Sequence, residues 1–298
     1  MDQPVRPRRS VLYMPGSNAR ALEKAKSLAA DGLILDLEDA VAPDAKDLAR
    51  DQVCGAVRSG GYGPRELVVR INGLDTAWGA ADLEAACAAG PDAVLVPKVE
   101  SAAMVREVAE RLDRHGAPED TRIWCMMETP RGILHGEEIA AASPRIACLV
   151  MGTSDLAKDL HARHTALRLP MLTSLSICLL AARAEGLAIL DGVHLDLADD
   201  EGFVAACEQG VELGFDGKTL IHPKQIEPCN RVFAPGPDEV DRARRIIAAF
   251  AEAEAEGKAV AVVDGALVEN LHVAAARRLV ALADAIAARE AMTGGAPA

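Results

Sequence analysis

No apolar run in this 298-residue chain approaches the roughly 20 residues that a bilayer-spanning helix needs, so a membrane-spanning protein is not expected. Basic charge is scarce: 32 Lys and Arg stand against 45 Asp and Glu, a formal net charge of -13 at pH 7. A general nucleic-acid binder displays a broad basic surface to replace phosphate counterions, and that class is set aside. A few local Arg and Lys residues still suffice for a small anionic ligand. Cysteine is present but unpatterned. The seven, at 54, 87, 125, 148, 178, 207 and 229, include no CxxC pair and no zinc-like spacing, and their number is odd. They read as reduced, mostly buried thiols of a cytoplasmic protein rather than as a disulfide framework. The N-terminal MDQPVRPRRS is basic but lacks the apolar stretch of a secretory signal, and residues 1–9 read as a flexible tail.

What is there suits a large core, since half of the residues are hydrophobic. Short apolar segments recur along the chain: VLYMP at 11–15, LILDLED at 33–39, LVVRIN at 67–72, AVLVPKVE at 93–100, IWCMMET at 123–129, IACLVMG at 146–152, LAILDGV at 187–193 and GKTLIHP at 217–223. Continuous runs of this length, bounded by Gly, Pro or acidic residues, suit parallel strands buried on both faces. The stretches between them carry Ala, Leu, Glu and Lys at helical periods. Eight such units point to a (β/α)8 TIM barrel over residues 10–235, a fold that needs about 250 residues. An open doubly wound sheet is the other arrangement that the alternation permits.

Polar residues collect at or just beyond the C-terminal ends of the apolar runs: Asp36, Glu38, Asp39, Arg70, Asn72, Lys98, Glu100, Glu128, Asp155, Asp191, His194, Lys218 and His222. A barrel gathers those ends on one face, where active sites of this fold are built. Glu128 in METPRG and Asp155 in MGTSDLAKDL follow successive strands, so their carboxylates can share a hard divalent cation, Mg or Mn rather than zinc. Two solvated loop carboxylates are the alternative. Arg70 ends an apolar strand and needs an anionic partner, either a ligand carboxylate or a structural pair with Glu38 or Asp39. The three acids of DLED would repel one another unless cations stood nearby, a role for a metal together with Arg70.

Gly16 and Ser17 open a helix whose free N–H groups, near Arg20, Lys24 and Lys26, can hold a phosphate. The HxxH pair His161 and His164 reads as solvated. Beyond residue 235 an extension over 236–292 is expected, with Asp238 capping a helix that Gly257 ends. A short apolar run follows, then a final helix starting in LVENLHV, and a mobile tail over 293–298.

LYMPGSN, LDLEDAVAP followed by Lys46, VRINGLDT, VPKVE, METPRG, MGTSDLAKDLH, LDGVHLD, GFDGKTLIHPKQI and VDGALVENLHV occur in this order from about residue 9 to 285. Together they resemble the citrate lyase beta subunit-like branch of the HpcH/HpaI aldolase superfamily, and within it the malyl-CoA lyases and malyl-CoA thioesterases. The resemblance implies a TIM barrel, Mg at Glu128 and Asp155, and a substrate carboxylate or carbonyl at Arg70. It also implies coenzyme A contacts at Tyr13, Asn18, Lys24, His222 and Pro223. A C-terminal segment that crosses to a neighbouring subunit of a trimer, or of a hexamer, would bring an acid to its site, and the motifs place Glu269 there. Two departures stand out: Asn18 where malyl-CoA lyases commonly carry Arg, and Glu269 where the crossing acid is usually Asp. The activity implied is cleavage of a 3-hydroxyacyl-CoA such as malyl-CoA to acetyl-CoA and the 2-oxo acid glyoxylate. Hydrolysis to malate and coenzyme A is the alternative. A beta subunit inactive outside a citrate lyase-type complex, and an aldolase acting on free acids, are readings of other kinds.

Overall fold

The computed structural model describes residues 5–294. Eight parallel strands form a closed barrel in sequence order: β1 (Ser10–Pro15), β2 (Gly32–Asp36), β3 (Glu66–Arg70), β4 (Ala93–Val96), β5 (Arg122–Met127), β6 (Ile146–Met151), β7 (Ala188–Asp191) and β8 (Gly217–Leu220). Each expected apolar segment overlaps one of them, with helices between, and the open sheet is excluded. The barrel closes where β8 pairs with β1, Ser10 opposite Lys218 and Leu12 opposite Leu220.

Side chains alternate between two cores, because successive residues of a strand face opposite sides. Val11, Ile34, Val68, Ala93, Leu95, Trp124, Met126, Cys148, Val150 and Leu190 pack together inside the barrel. Leu12, Leu33, Leu35, Val69, Val94, Ile123, Leu149, Ile189 and Leu220 belong to the larger core between barrel and helices. Register carries this parity around the wall, with Ile34 opposite Val68 and Asp36 opposite Arg70. At the N-terminal end Arg8 bonds Glu66 at 2.7 Å and lies 5.3 Å over the Trp124 ring. Arg9 pairs with Asp31 at 2.9 Å. Both arginines fall inside the expected tail, and these buried carboxylates hold them; residues 1–4 lie outside the described residues.

Residues Arg8–Phe233 form one compact unit. The second, from Ala234 onward, contains a helix at Pro237–Ala255, a hairpin of β9 (Ala261–Val263) and β10 (Ala266–Val268), and a helix at Asn270–Gly294. Three local details depart from the sequence reading. Gly236, not Asp238, caps the first helix, because Pro237 takes its first turn and Glu239 reaches back to the Gly236 amide at 2.8 Å. The last helix starts at Asn270 instead of at Leu267. Asp264 and Gly265 both adopt positive φ (51° and 78°), the backbone of a tight hairpin turn, and so draw Ala266–Val268 into a strand. That helix also runs to Gly294, past the expected start of the tail, while residues 295–298 lie outside the described residues. All seven cysteines are buried and free, and no helix of the described residues is long and apolar enough to cross a membrane.

Candidate active site at the barrel mouth

Asp36 and Arg70 share the inward parity of Ile34 and Val68, so both enter the barrel at its C-terminal end. Arg70 Nε and Nη2 donate to the two oxygens of Asp36 at 2.7 and 2.6 Å, a two-point pair with both side chains buried. Nη1 turns to Glu38 Oε2 at 2.8 Å and Asp39 Oδ2 at 3.3 Å. The guanidinium lies 4.9 Å from the Tyr13 ring centroid, stacked on its face. Burial opposes the charge on Arg70, but Asp36 and Glu38 raise its pKa well above the ordinary value. The structural alternative for Arg70 is therefore present, with Asp36 as the principal partner.

Glu128 follows β5 and is 3% exposed. Burial pushes its carboxyl up to about 7, and Glu38 and Asp155 add to the rise, while the Lys98 amide and Arg70 oppose it. Its Oε1 accepts the Lys98 backbone N–H at 2.8 Å. Gly152 follows the adjacent strand, and a Cβ there would stand 2.5 Å from Glu128 Oε2 and closer still to its Cβ. Glycine is thus what lets the carboxylate lie against β6. Asp155 sits in the first turn of the helix Thr153–Asp159, its side chain 27% exposed and 3.1 Å from Lys158.

Lys98 is the residue that the sequence reading placed at a strand end without a role. Its ammonium lies 3.3 Å from Glu38 Oε1 and 4.0 Å from Asp155 Oδ2. Beneath the loop, Lys46 donates to the Leu37 and Glu38 carbonyls at 2.8 and 2.7 Å and to Asn72 Oδ1 at 2.8 Å, fixing the backbone that carries Glu38. Arg70, Lys98 and Lys46 thus supply the positive charge that DLED requires. Glu38 Oε2 is buried and makes no aligned hydrogen bond, and burial raises the Glu38 carboxyl.

Among the described residues no three His, Cys, Asp or Glu side chains converge into a metal cage. Two carboxylates of the Glu128 and Asp155 kind suit a hard cation that keeps most of its waters. The donor chemistry fits Mg: oxygen only, buried on one side, with a glycine cradle and like-charged neighbours that a cation would relieve.

Asn18, Lys24, His222 and Pro223 follow β1 and β8, two strands that pair with each other. Asn18 caps the helix Ala19–Ala25, accepting the Ala21 amide at 3.0 Å, so the helix starts later than Gly16 and Ser17. Lys24 lies on that helix and is exposed. His222 is exposed, caps the short turn Pro223–Gln225 and accepts the Lys224 amide at 3.1 Å. Tyr13 is apart from these, inside the mouth beneath Arg70. Asp191 and Lys218 were expected at the mouth, but both have the outward parity of Ile189 and Leu220. They pair at 2.7 Å behind the barrel wall, where Arg168 joins them at 2.6 Å. His161 and His164 are exposed. Glu269 is exposed in the Ala234–Ala298 unit, where its carbonyl accepts the His272 amide at 2.9 Å at the start of the last helix.

Residues 9–223 match the family HpcH/HpaI aldolase/citrate lyase. The chain belongs to this family. Over 288 residues it is 54% identical to the (3S)-malyl-CoA thioesterase of Cereibacter sphaeroides (strain KD131 / KCTC 12085), covering 97% of this chain and 99% of that one. The citrate lyase subunit beta of Escherichia coli (strain K12) is 35% identical over 290 residues, 96% of each chain. The crystal structure of CitE from Mycobacterium tuberculosis in complex with magnesium, acetoacetate and coenzyme A superposes with a TM-score of 0.72 at 32% identity, covering 93% of this chain and 98% of that one. The barrel is the fold of this solved relative.

Proposed function

We propose that this chain is a magnesium-dependent enzyme of the CoA-ester lyase and thioesterase kind, acting on the malyl part of malyl-CoA and releasing malate and coenzyme A. The observation that carries the hydrolytic outcome is the 54% identity to (3S)-malyl-CoA thioesterase across essentially the whole of both chains. Cleavage to acetyl-CoA and glyoxylate is the second reading, favoured by the likeness to citrate lyase beta subunits and to CitE with bound magnesium and coenzyme A.

Glu128 and Asp155 would hold the cation. Magnesium, when bound, polarises a substrate oxygen and neutralises negative charge on it. Arg70 brings a fixed positive charge to the same mouth. Its two-point pair with Asp36 and its stacking on Tyr13 restrict rotation, so the guanidinium is already oriented when a carboxylate or thioester oxygen arrives. In hydrolysis, water adds to the thioester carbonyl carbon, the carbon–sulfur bond breaks, and the departing thiolate takes up a proton. Glu269 is the proposed base for that water, or the acid that protonates the acetyl-CoA enolate in cleavage. Its longer side chain relative to Asp shifts the carboxylate by about one methylene, a displacement on the scale at which such steps are sensitive.

The neighbouring loops after β1 and β8 give coenzyme A a place beside the mouth, with Asn18, Lys24, His222 and Pro223 as its contacts. Tyr13 faces the acyl end. The trimer or hexamer carrying Glu269 across a subunit boundary belongs to the same proposal, and seven buried free thiols support a cytoplasmic location.

Purified chain given malyl-CoA with magnesium, and separately with chelator, tests the reading. Malate and free coenzyme A are the expected products, lost on chelation. Glyoxylate without malate would replace hydrolysis by cleavage. Turnover absent from the isolated chain would favour a subunit that works only within a larger complex.

A further inference from the structure

Lys98 combines two features that no other residue of the mouth shares. Its backbone adopts φ 47°, a left-handed conformation uncommon for a residue with a side chain. That bend aims its N–H at Glu128 Oε1, 2.8 Å away. It also leaves the ammonium between two acids, 3.3 Å from Glu38 Oε1 and 4.0 Å from Asp155 Oδ2. The same residue therefore orients one proposed metal ligand through its amide and faces the other through its side chain.

We propose that Lys98 is an internal counter-ion that competes with a divalent cation for Asp155, so that its ammonium sets how tightly magnesium is held. The inference rests on the reading of Glu128 and Asp155 as the metal ligands. A carboxylate oxygen that faces the ammonium is less available to a dication, and two like charges drawn to one acidic mouth repel. Lys98 moves aside at little cost. Its side chain is 48% exposed, and the backbone bond to Glu128 survives any side-chain rotation. Glu38, held from below by Lys46, keeps the displaced ammonium nearby. The site would then exchange one cation for another without exposing an unbalanced cluster of buried carboxylates.

Lys158 provides an internal comparison. It contacts the other Asp155 oxygen at 3.1 Å, but its side chain is 69% exposed on the helix surface. Solvent and salt screen such a charge more strongly.

The test is calorimetric titration of magnesium into chelator-treated protein without substrate, alongside its melting temperature. Lys98→Met is expected to bind magnesium about five- to tenfold more tightly than wild type, the scale of one nearby charge in a partly solvated site. Its metal-free melting temperature should fall and recover with saturating magnesium. Lys98→Arg should stay near wild type. Lys98→Gln, which keeps a polar head, serves if the Met variant does not fold, and should also tighten binding. Lys158→Met should change affinity much less. Unchanged or weaker magnesium binding in Lys98→Met or Lys98→Gln would overturn the proposal, as would an equal effect of Lys158→Met, which would mark a general surface-charge effect. Wild type that binds no magnesium at all would instead overturn the assignment of the metal ligands.

Discussion

Glu128 shows how burial and charge are set against each other at a single residue. Its carboxyl moves from 4.5 to about 7 because it is buried, with Glu38 and Asp155 adding repulsion. Between those values the folded chain keeps a proton that the unfolded chain has released, so stability falls as pH rises through this window and levels off above 7. Glu128→Gln removes the ionisation. In chelated protein its melting temperature should exceed that of wild type by more at pH 8 than at pH 5. A difference that stays constant with pH would show that the carboxyl is not held near neutrality. Arg70 has the opposite solution: burial opposes its charge, and the two-point pair with Asp36 more than offsets it.

At the scale of elements, strand parity decides which polar residues take part. Gly152 follows β6 on the inward side and leaves room for the Glu128 carboxylate. Gly152→Ala would place a methyl on occupied space, costing about 1–3 kcal/mol as overpacking. Magnesium affinity should fall with it, because the ligand is pushed aside. A variant that melts and titrates like wild type would refute the cradle. Asp191 lies one residue out of phase with Leu190 and so faces the helices, where Lys218 and Arg168 hold its carboxyl below the usual range despite burial. Asp191→Asn should cost about 3–5 kcal/mol, since two cations lose their buried partner. Denaturant titration measures this loss, while kcat/KM per folded molecule should stay near wild type. Lost turnover at unchanged stability would return Asp191 to the site.

At the scale of the whole molecule, the proposed acid and the proposed metal ligands belong to different compact units, Glu269 in one and Glu128 and Asp155 in the other. If Glu269 serves a neighbouring subunit, Glu128→Gln and Glu269→Gln preparations are each inactive alone. Mixed under conditions of subunit exchange, they should regain a fraction of wild-type turnover, because some sites receive both intact acids. Glu269→Gln alone should still bind magnesium in the calorimeter. Activity retained by that variant, or no recovery on mixing, would remove Glu269 from the shared site.

Eight apolar runs spaced by helical stretches pointed to the barrel, because strands buried on both faces must be continuously apolar, but the alternation also permitted an open doubly wound sheet, which the pairing of β8 with β1 excludes. The positions of Glu128 and Arg70 at the barrel mouth were legible for the same reason, each being polar where an apolar run stops, and Asp155 follows the next run by three residues. The role of Lys98 was not legible: a lysine in VPKVE carries no sign that its φ is positive or that its ammonium reaches across to Glu38 and Asp155. Nor was Asp36 as the partner of Arg70, since that pairing depends on the β2–β3 register. Asp191 and Lys218 looked equivalent to the mouth residues until parity turned them outward. Composition and local periodicity act along the chain and determine which segments are strands. Register and side-chain direction arise only when strands 34 residues apart in sequence, such as those of Asp36 and Arg70, are laid side by side, and that step decides which charges meet.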